Sequence, residues 1–175
     1  MTSRILLFFI GLILTTTSCK VKSYYSESAP ISHSLWTDIL QEHVTEEGWL
    51  DYQGVKKDSQ RFNEYLRLLN DHHPNPDTWT RDERLAYWIN AYNAYTVELI
   101  LKHYPVESIK DIKRGVPFIN TVWDIEFIEI EGRNYSLNNI EHGILRPKFD
   151  DPRIHFAINC ASYSCLLYTS DAADD

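Results

Sequence analysis

The sequence lacks the features that mark the commonest membrane, nucleic-acid and cofactor proteins. Its one long apolar run, Ile5–Leu14, is too short to cross a bilayer as a permanent helix. Positive charge is scarce: 17 Lys and Arg face 25 Asp and Glu, a formal charge of -8, and no basic stripe concentrates the cations. A chain of that sign is repelled by phosphate backbones, which excludes nucleic acid as an expected partner. A Walker loop, a G-x-G-x-x-G turn, H-E-x-x-H and C-x-x-C are all absent, so no nucleotide, zincin or thioredoxin-like chemistry is indicated, and no cofactor or metal is expected.

What is present divides by position. Residues 1–18 combine Arg4, the apolar run and the small residues Thr15–Ser18 before Cys19, the layout of a secretory signal. With its box Thr16-Thr17-Ser18-Cys19, this start resembles a bacterial lipoprotein, although leucine is usual where Thr16 stands. The resemblance implies acyl chains on Cys19, a membrane partner reached through that anchor, and a domain held outside the cytoplasm, in the periplasm or at the cell surface. Residues 19–33 are polar and without period, as a structureless tether would be. The last ten residues, LLYTSDAADD, continue no pattern and read in frame like a translated sequencing-library adapter; residues 166–175 are therefore set apart from fold reasoning.

Between these ends, aromatic residues (13%) and well-mixed charge (24%) describe one globular domain over 34–165. Leu35, Trp36, Ile39, Leu40, His43 and Val44 recur at helical spacing, and Phe62, Tyr65, Leu66 and Leu69 form a second stripe. His72-His73-Pro74-Asn75-Pro76 breaks it, a turn in which the histidines are expected to be solvated. Thr80 and Glu83 have the spacing of a capping box, opening a long central helix over about 81–104 that is apolar on both faces and interrupted by Asn90 and Asn93. Each of these amides needs a partner: the backbone of a nearby loop, or a catalytic imidazole. Alternating apolar residues predict strands over about 123–130, 133–135 and 153–159, with a turn at Gly132. Ser136 can cap a helix whose stripe is Leu137, Ile140 and Ile144, with His142 off that stripe beside Asn138 and Arg146. The expected class is α+β, a helix-rich N-terminal part with the long buried helix packed on a small sheet.

Five stretches, GWLDY (48–52), LAYWINAYNAYT (85–96), HYPVESIKDI (103–112), GRNYSLNNIEHGILR (132–146) and DPRIHFAINCASYSC (151–165), together resemble domain-of-unknown-function family 547 (DUF 547). The likeness runs in order over about 46–165. In that family the second cysteine is followed by proline and a further helical portion, whereas Leu166 starts the foreign-looking tail, so the resemblance implies a domain cut short at its C-terminal side. It implies no reaction.

The chemistry concentrates in His142, His155, Cys160 and Cys165. Three readings stay open. In an oxidising envelope Cys160 and Cys165 can form a disulfide. Cys160 can instead be a nucleophile, with His142 or His155 as base and Asn93 orienting the imidazole. Zinc held by all four is the third, disfavoured because H-x4-C-x4-C lacks the tight spacing of common zinc sites. Two function classes follow: a lipid-anchored binding or structural module with an unidentified protein or small-molecule partner, and a thiol-dependent hydrolase or acyl transferase.

Overall fold

The structure is a computed structural model that describes residues 26–112 and 121–161. Its order is α1 (Ser34–His43), α2 (Tyr52–Lys57), α3 (Ser59–Asn70), α4 (Arg81–His103), β1 (Ile128–Ile130), β2 (Arg133–Tyr135), a π-helical segment Asn139–Leu145, α5 (Arg146–Phe149) and α6 (Ile154–Ala157). The class is α+β. The expectations on Cys19, Cys165, the signal segment and the tail lie outside the described residues.

The long helix α4 forms where its cap predicts. The Thr80 amide donates to Glu83 Oε2 at 2.7 Å, and the Glu83 amide donates to Thr80 Oγ1 at 3.2 Å, so two donors that the first turn leaves open are satisfied. Asp82 and Glu83 at its start and Lys102 and His103 at its end oppose the helix dipole. Ten of its side chains are buried, spread around the helix, which makes it the axis of the core. Tyr87 shows how a phenol is accommodated there: it is fully buried and donates to the Leu69 carbonyl at 2.7 Å, and burial pushes its ionisation well above the ordinary range.

The sheet is smaller than the alternation suggested, a two-stranded antiparallel hairpin in which Ile130 faces Arg133. Its two-residue turn needs left-handed backbone at both positions, and Glu131 and Gly132 have φ of 46° and 72°. Glycine takes that conformation without cost; Glu131 is held in it by its amide bond to the Asn70 carbonyl at 2.8 Å and by a carboxylate that receives Ser26 Oγ and the His73 amide. Residues 123–127, expected as strand, are not. Asp124 Oδ2 accepts from the amide and hydroxyl of Thr121, closing a tight turn over Val122–Asp124 that ends any extended run.

The expected strand at 153–159 is also corrected. Ile154–Ala157 is one turn of helix, closed by Ile158 N to Ile154 O at 3.1 Å. Ile154 and Ile158, four apart, are the buried residues, while Phe156 is 61% exposed. In a run this short, period 2 and period 3.6 match nearly the same apolar positions, and packing decides. The helix after Ser136 forms with its predicted stripe buried, but as a wider i→i+5 turn in which the Arg146 amide reaches the Glu141 carbonyl and Leu145 joins the core.

Of the tether expected over 19–33, only residues 26–33 are described, and these carry fixed partners. Residues 26–33 have no helix or strand, yet Ser26 is buried and its carbonyl accepts from Asn75 Nδ2 at 2.7 Å, while the Ser28 carbonyl accepts from Trp79 Nε1 at 2.6 Å. Side chains from the 73–79 turn supply the partners that an irregular backbone needs when it packs on a core.

Candidate functional site

The described part of the Cys160 stretch is organised by Asn93. From the middle of α4 its Nδ2 donates to the Ala157 carbonyl at 2.9 Å, and its Oδ1 accepts from the Asn159 amide at 2.8 Å. The two bonds span 64 and 66 positions and fix the chain that follows α6. Of the two partners open to this amide, it takes loop backbone, and no imidazole is among its hydrogen bonds. Asn159 then turns the chain itself, its Oδ1 accepting from the Ala161 amide at 2.8 Å. Ala161 sits at φ 50°, a left-handed conformation that alanine adopts at a cost of about 1 kcal/mol or more. Half-buried Cys160 lies inside this tight turn.

Beside the turn opens a cleft of about 370 Å³. Asn159 and Ala161, the neighbours of Cys160, form one wall; Asn93, Thr96 and Val97 of α4 form the floor; Leu40 of α1, Val44 just past its end and residues 48–52 close it. The loop is shaped by Gly48 at φ 84° and by a backbone bridge between Val44 and Leu50. Trp49 stands on it 51% exposed, one of two large apolar side chains that the described surface displays, the other being Phe156. The lining is apolar apart from Asn93, Thr96, Asn159, the Tyr52 phenol and Glu107, with no cation among the described residues. Burial raises the ionisation of Tyr52, so that phenol stays neutral and able to donate.

The two histidines stand elsewhere, and neither lines this cleft. His142 is exposed, its Nε2 3.8 Å from Glu141 Oε1, a carboxylate oxygen that Arg146 also engages from Nη2 at 2.6 Å. It keeps the face off the packed stripe that its spacing implied. His155 is exposed, edge-on to Phe156 at 5.4 Å, and borders a separate hollow with Arg146 and Asp151. Pairing of Cys160 with Cys165, and zinc held by all four residues, involve a position outside the described residues.

Two groupings had no signal strong enough to read from the sequence. Glu42, His43 and Asp58 present ligand atoms within 4.8 Å of one another, a set able to hold a metal ion. The Arg61 guanidinium already bonds both carboxylates, and its hydrogen bond is the main cause that lowers the Asp58 ionisation. A metal ion would have to displace that built-in cation. His43 counted only as a residue of the α1 stripe; Gly54, where a Cβ would meet His43 Nδ1 at 2.6 Å and Asp51 Oδ2 at 2.7 Å, was the available clue to close approach. The second grouping corrects the reading of His73. It is half-buried instead of solvated, with its Nε2 3.0 Å from the Tyr135 phenol and its Nδ1 3.0 Å from the Pro74 carbonyl.

No curated protein and no solved structure matches this chain. One family does, over a span that begins after the GWLDY stretch and ends within the tail that looked foreign. The family whose description is "Protein of unknown function, DUF547" matches residues 76–170, just over half of the chain, and to that family this protein belongs.

Proposed function

We propose that this DUF547 protein is a binding module of the cell envelope, carried at the membrane by acyl chains on Cys19, and that its ligand enters the cleft beside Asn93. The observation that carries the reading is the cleft's composition: exposed Trp49 over a mostly apolar lining, with amide and hydroxyl groups at fixed positions and no cation among the described residues. Pockets of this size and make-up bury an apolar body and orient it with a few hydrogen bonds. The ligand class is therefore uncharged or weakly cationic, with an apolar group and amide- or hydroxyl-type atoms. Nile red is a neutral probe of such a site. Apparent affinity on fluorescence titration should fall about tenfold with Trp49→Ala, whose melting temperature should stay near the parent's because Trp49 is exposed, and with Val97→Phe, which fills the buried floor and lowers stability somewhat. Unchanged titration in both variants would sink the cleft as the binding site. The anchor has its own check: Cys19→Ala should abolish membrane partitioning and palmitate labelling.

The turn at 159–161 favours a second reading, a thiol-dependent hydrolase or acyl transferase with Cys160 as nucleophile and His142 or His155 as base. Strained left-handed backbone on a clamped turn is a feature that functional sites retain, and here Asn93 acts as a positioning residue for the turn. In the reduced protein, iodoacetamide should label Cys160 with an apparent pKa below that of an ordinary thiol, raised by His142→Ala or His155→Ala. Labelling at the unfolded rate in parent and both variants would remove this reading.

A further inference from the structure

A second hollow, of about 420 Å³, has the opposite chemistry. It is lined by three cations delivered from separate elements, Arg84 on α4, Arg133 on β2 and Lys148 on α5, around a floor of His73, Trp88 and Tyr135. The floor is rigid. The rings of His73 and Trp88 meet edge to face at 5.5 Å, Trp88 and Tyr135 lie 5.7 Å apart, and the phenol is bonded to His73 Nε2. With Nδ1 turned to the Pro74 carbonyl, the neutral imidazole donates there and accepts the phenol proton at Nε2, so the floor keeps one defined arrangement.

The rim is unbalanced. Among the described residues neither Arg84 nor Lys148 makes an ion pair: Arg84 donates Nε to the Thr80 carbonyl at 3.3 Å and lies over the Phe149 ring, and Lys148 is exposed. The nearby carboxylate, Glu131, does not line the hollow; its Oε1 receives Ser26 and the His73 amide, and its charge favours a charged His73 from behind the floor without reaching the rim. Arg133 and Lys148 both oppose a charge on His73, whose ionisation burial lowers first. In a chain of formal charge -8, Arg84 and Lys148, with no ion pair among the described residues, leave positive charge at one concavity that a bound anion relieves.

We propose that this hollow is a binding site for a multiply charged small anion of the phosphate type, held between Arg84, Arg133 and Lys148 over the His73–Tyr135 floor. Guanidinium and ammonium groups converging from three elements match the several oxygens of such a group, whereas a monocarboxylate would leave part of the charge unmatched. The site is independent of the cleft beside Asn93 and stands or falls without it.

Inorganic pyrophosphate is the probe, titrated calorimetrically into the purified full chain at low ionic strength. Binding should weaken about tenfold in each of Arg84→Gln and Lys148→Gln, and more in the double variant. Lys102→Gln, which removes a cation paired with Glu98 at 2.7 Å outside the hollow, should leave it unchanged. Circular dichroism and melting temperature verify that the variants fold. A parallel arm with phosphatidate vesicles against phosphatidylcholine vesicles separates the sources. Pyrophosphate binding assigns a soluble anion; phosphatidate binding alone, with the same dependence on Arg84 and Lys148, assigns a lipid headgroup. The proposal is overturned if neither probe binds, or if binding is the same in parent and double variant.

Discussion

The two hollows share one helix and differ in almost everything else. Asn93, Thr96 and Val97 of α4 look into a mostly apolar cleft with no cation among the described residues, while Arg84 and Trp88, on another face of the same helix, border a hollow ringed by positive charge. In the first, polar atoms are few and one amide is committed to holding a loop 64 to 66 positions away. In the second, neither Arg84 nor Lys148 makes an ion pair among the described residues, and both border a bonded aromatic floor. One rigid buried helix can therefore serve two chemistries, because its core contacts are made by residues between those faces and the boundary residues are left to specialise.

The comparison breaks most severely at Trp88, which is buried and belongs to the floor of the cationic hollow. Trp88→Ala should cost about 3–5 kcal/mol in urea unfolding, by lost burial and the cavity left behind. Pyrophosphate binding should go with it. Asn93→Ala comes next and acts on one side only. It leaves the Ala157 carbonyl and the Asn159 amide without their partner; the Asn159 end is exposed, where water replaces the amide, so the loss should be about 1–3 kcal/mol, chiefly from the Ala157 carbonyl. Nile red titration should be impaired while pyrophosphate titration remains, the result that separates the two sites.

A control with smaller effect is Thr80→Ala, which removes the side-chain half of the capping box and should cost about 1 kcal/mol without changing either ligand titration. The smallest effect is in pH. The folded-state pKa of His73 lies below the ordinary value of 6.5, chiefly because burial disfavours its charged form. The unfolded chain then binds the proton more readily, so this contribution to stability is full above about 6.5 and declines as pH falls from there toward the folded pKa. His33 is shifted in the same direction by burial and adds to the slope. In denaturant melts from pH 7.5 to pH 5, His73→Gln should flatten part of the decline, and an unchanged slope would mean that His73 is not held neutral in the fold.

Sequence alone determined the elements whose signals are local. The capping box at Thr80 and Glu83, the stripes of α1 and α3, the burial of Leu137, Ile140 and Ile144, and the turn at Gly132 follow from contacts three or four positions apart or from one residue's backbone freedom. Motif order also pointed to the family before any geometry was available. Tertiary structure alone decided the rest. Whether RIHFAIN would be strand or helix depended on where Ile154 and Ile158 could pack, and Trp123–Phe127 lost their strand to a side chain reaching back from Asp124. It also decided that Asn93 would hold backbone, that His73 would be drawn under Tyr135, and that Arg84, Arg133 and Lys148 would meet around one hollow. Those outcomes rest on partners tens of residues apart, and periodicity carries no record of which distant groups a fold will bring within hydrogen-bonding or Coulombic range.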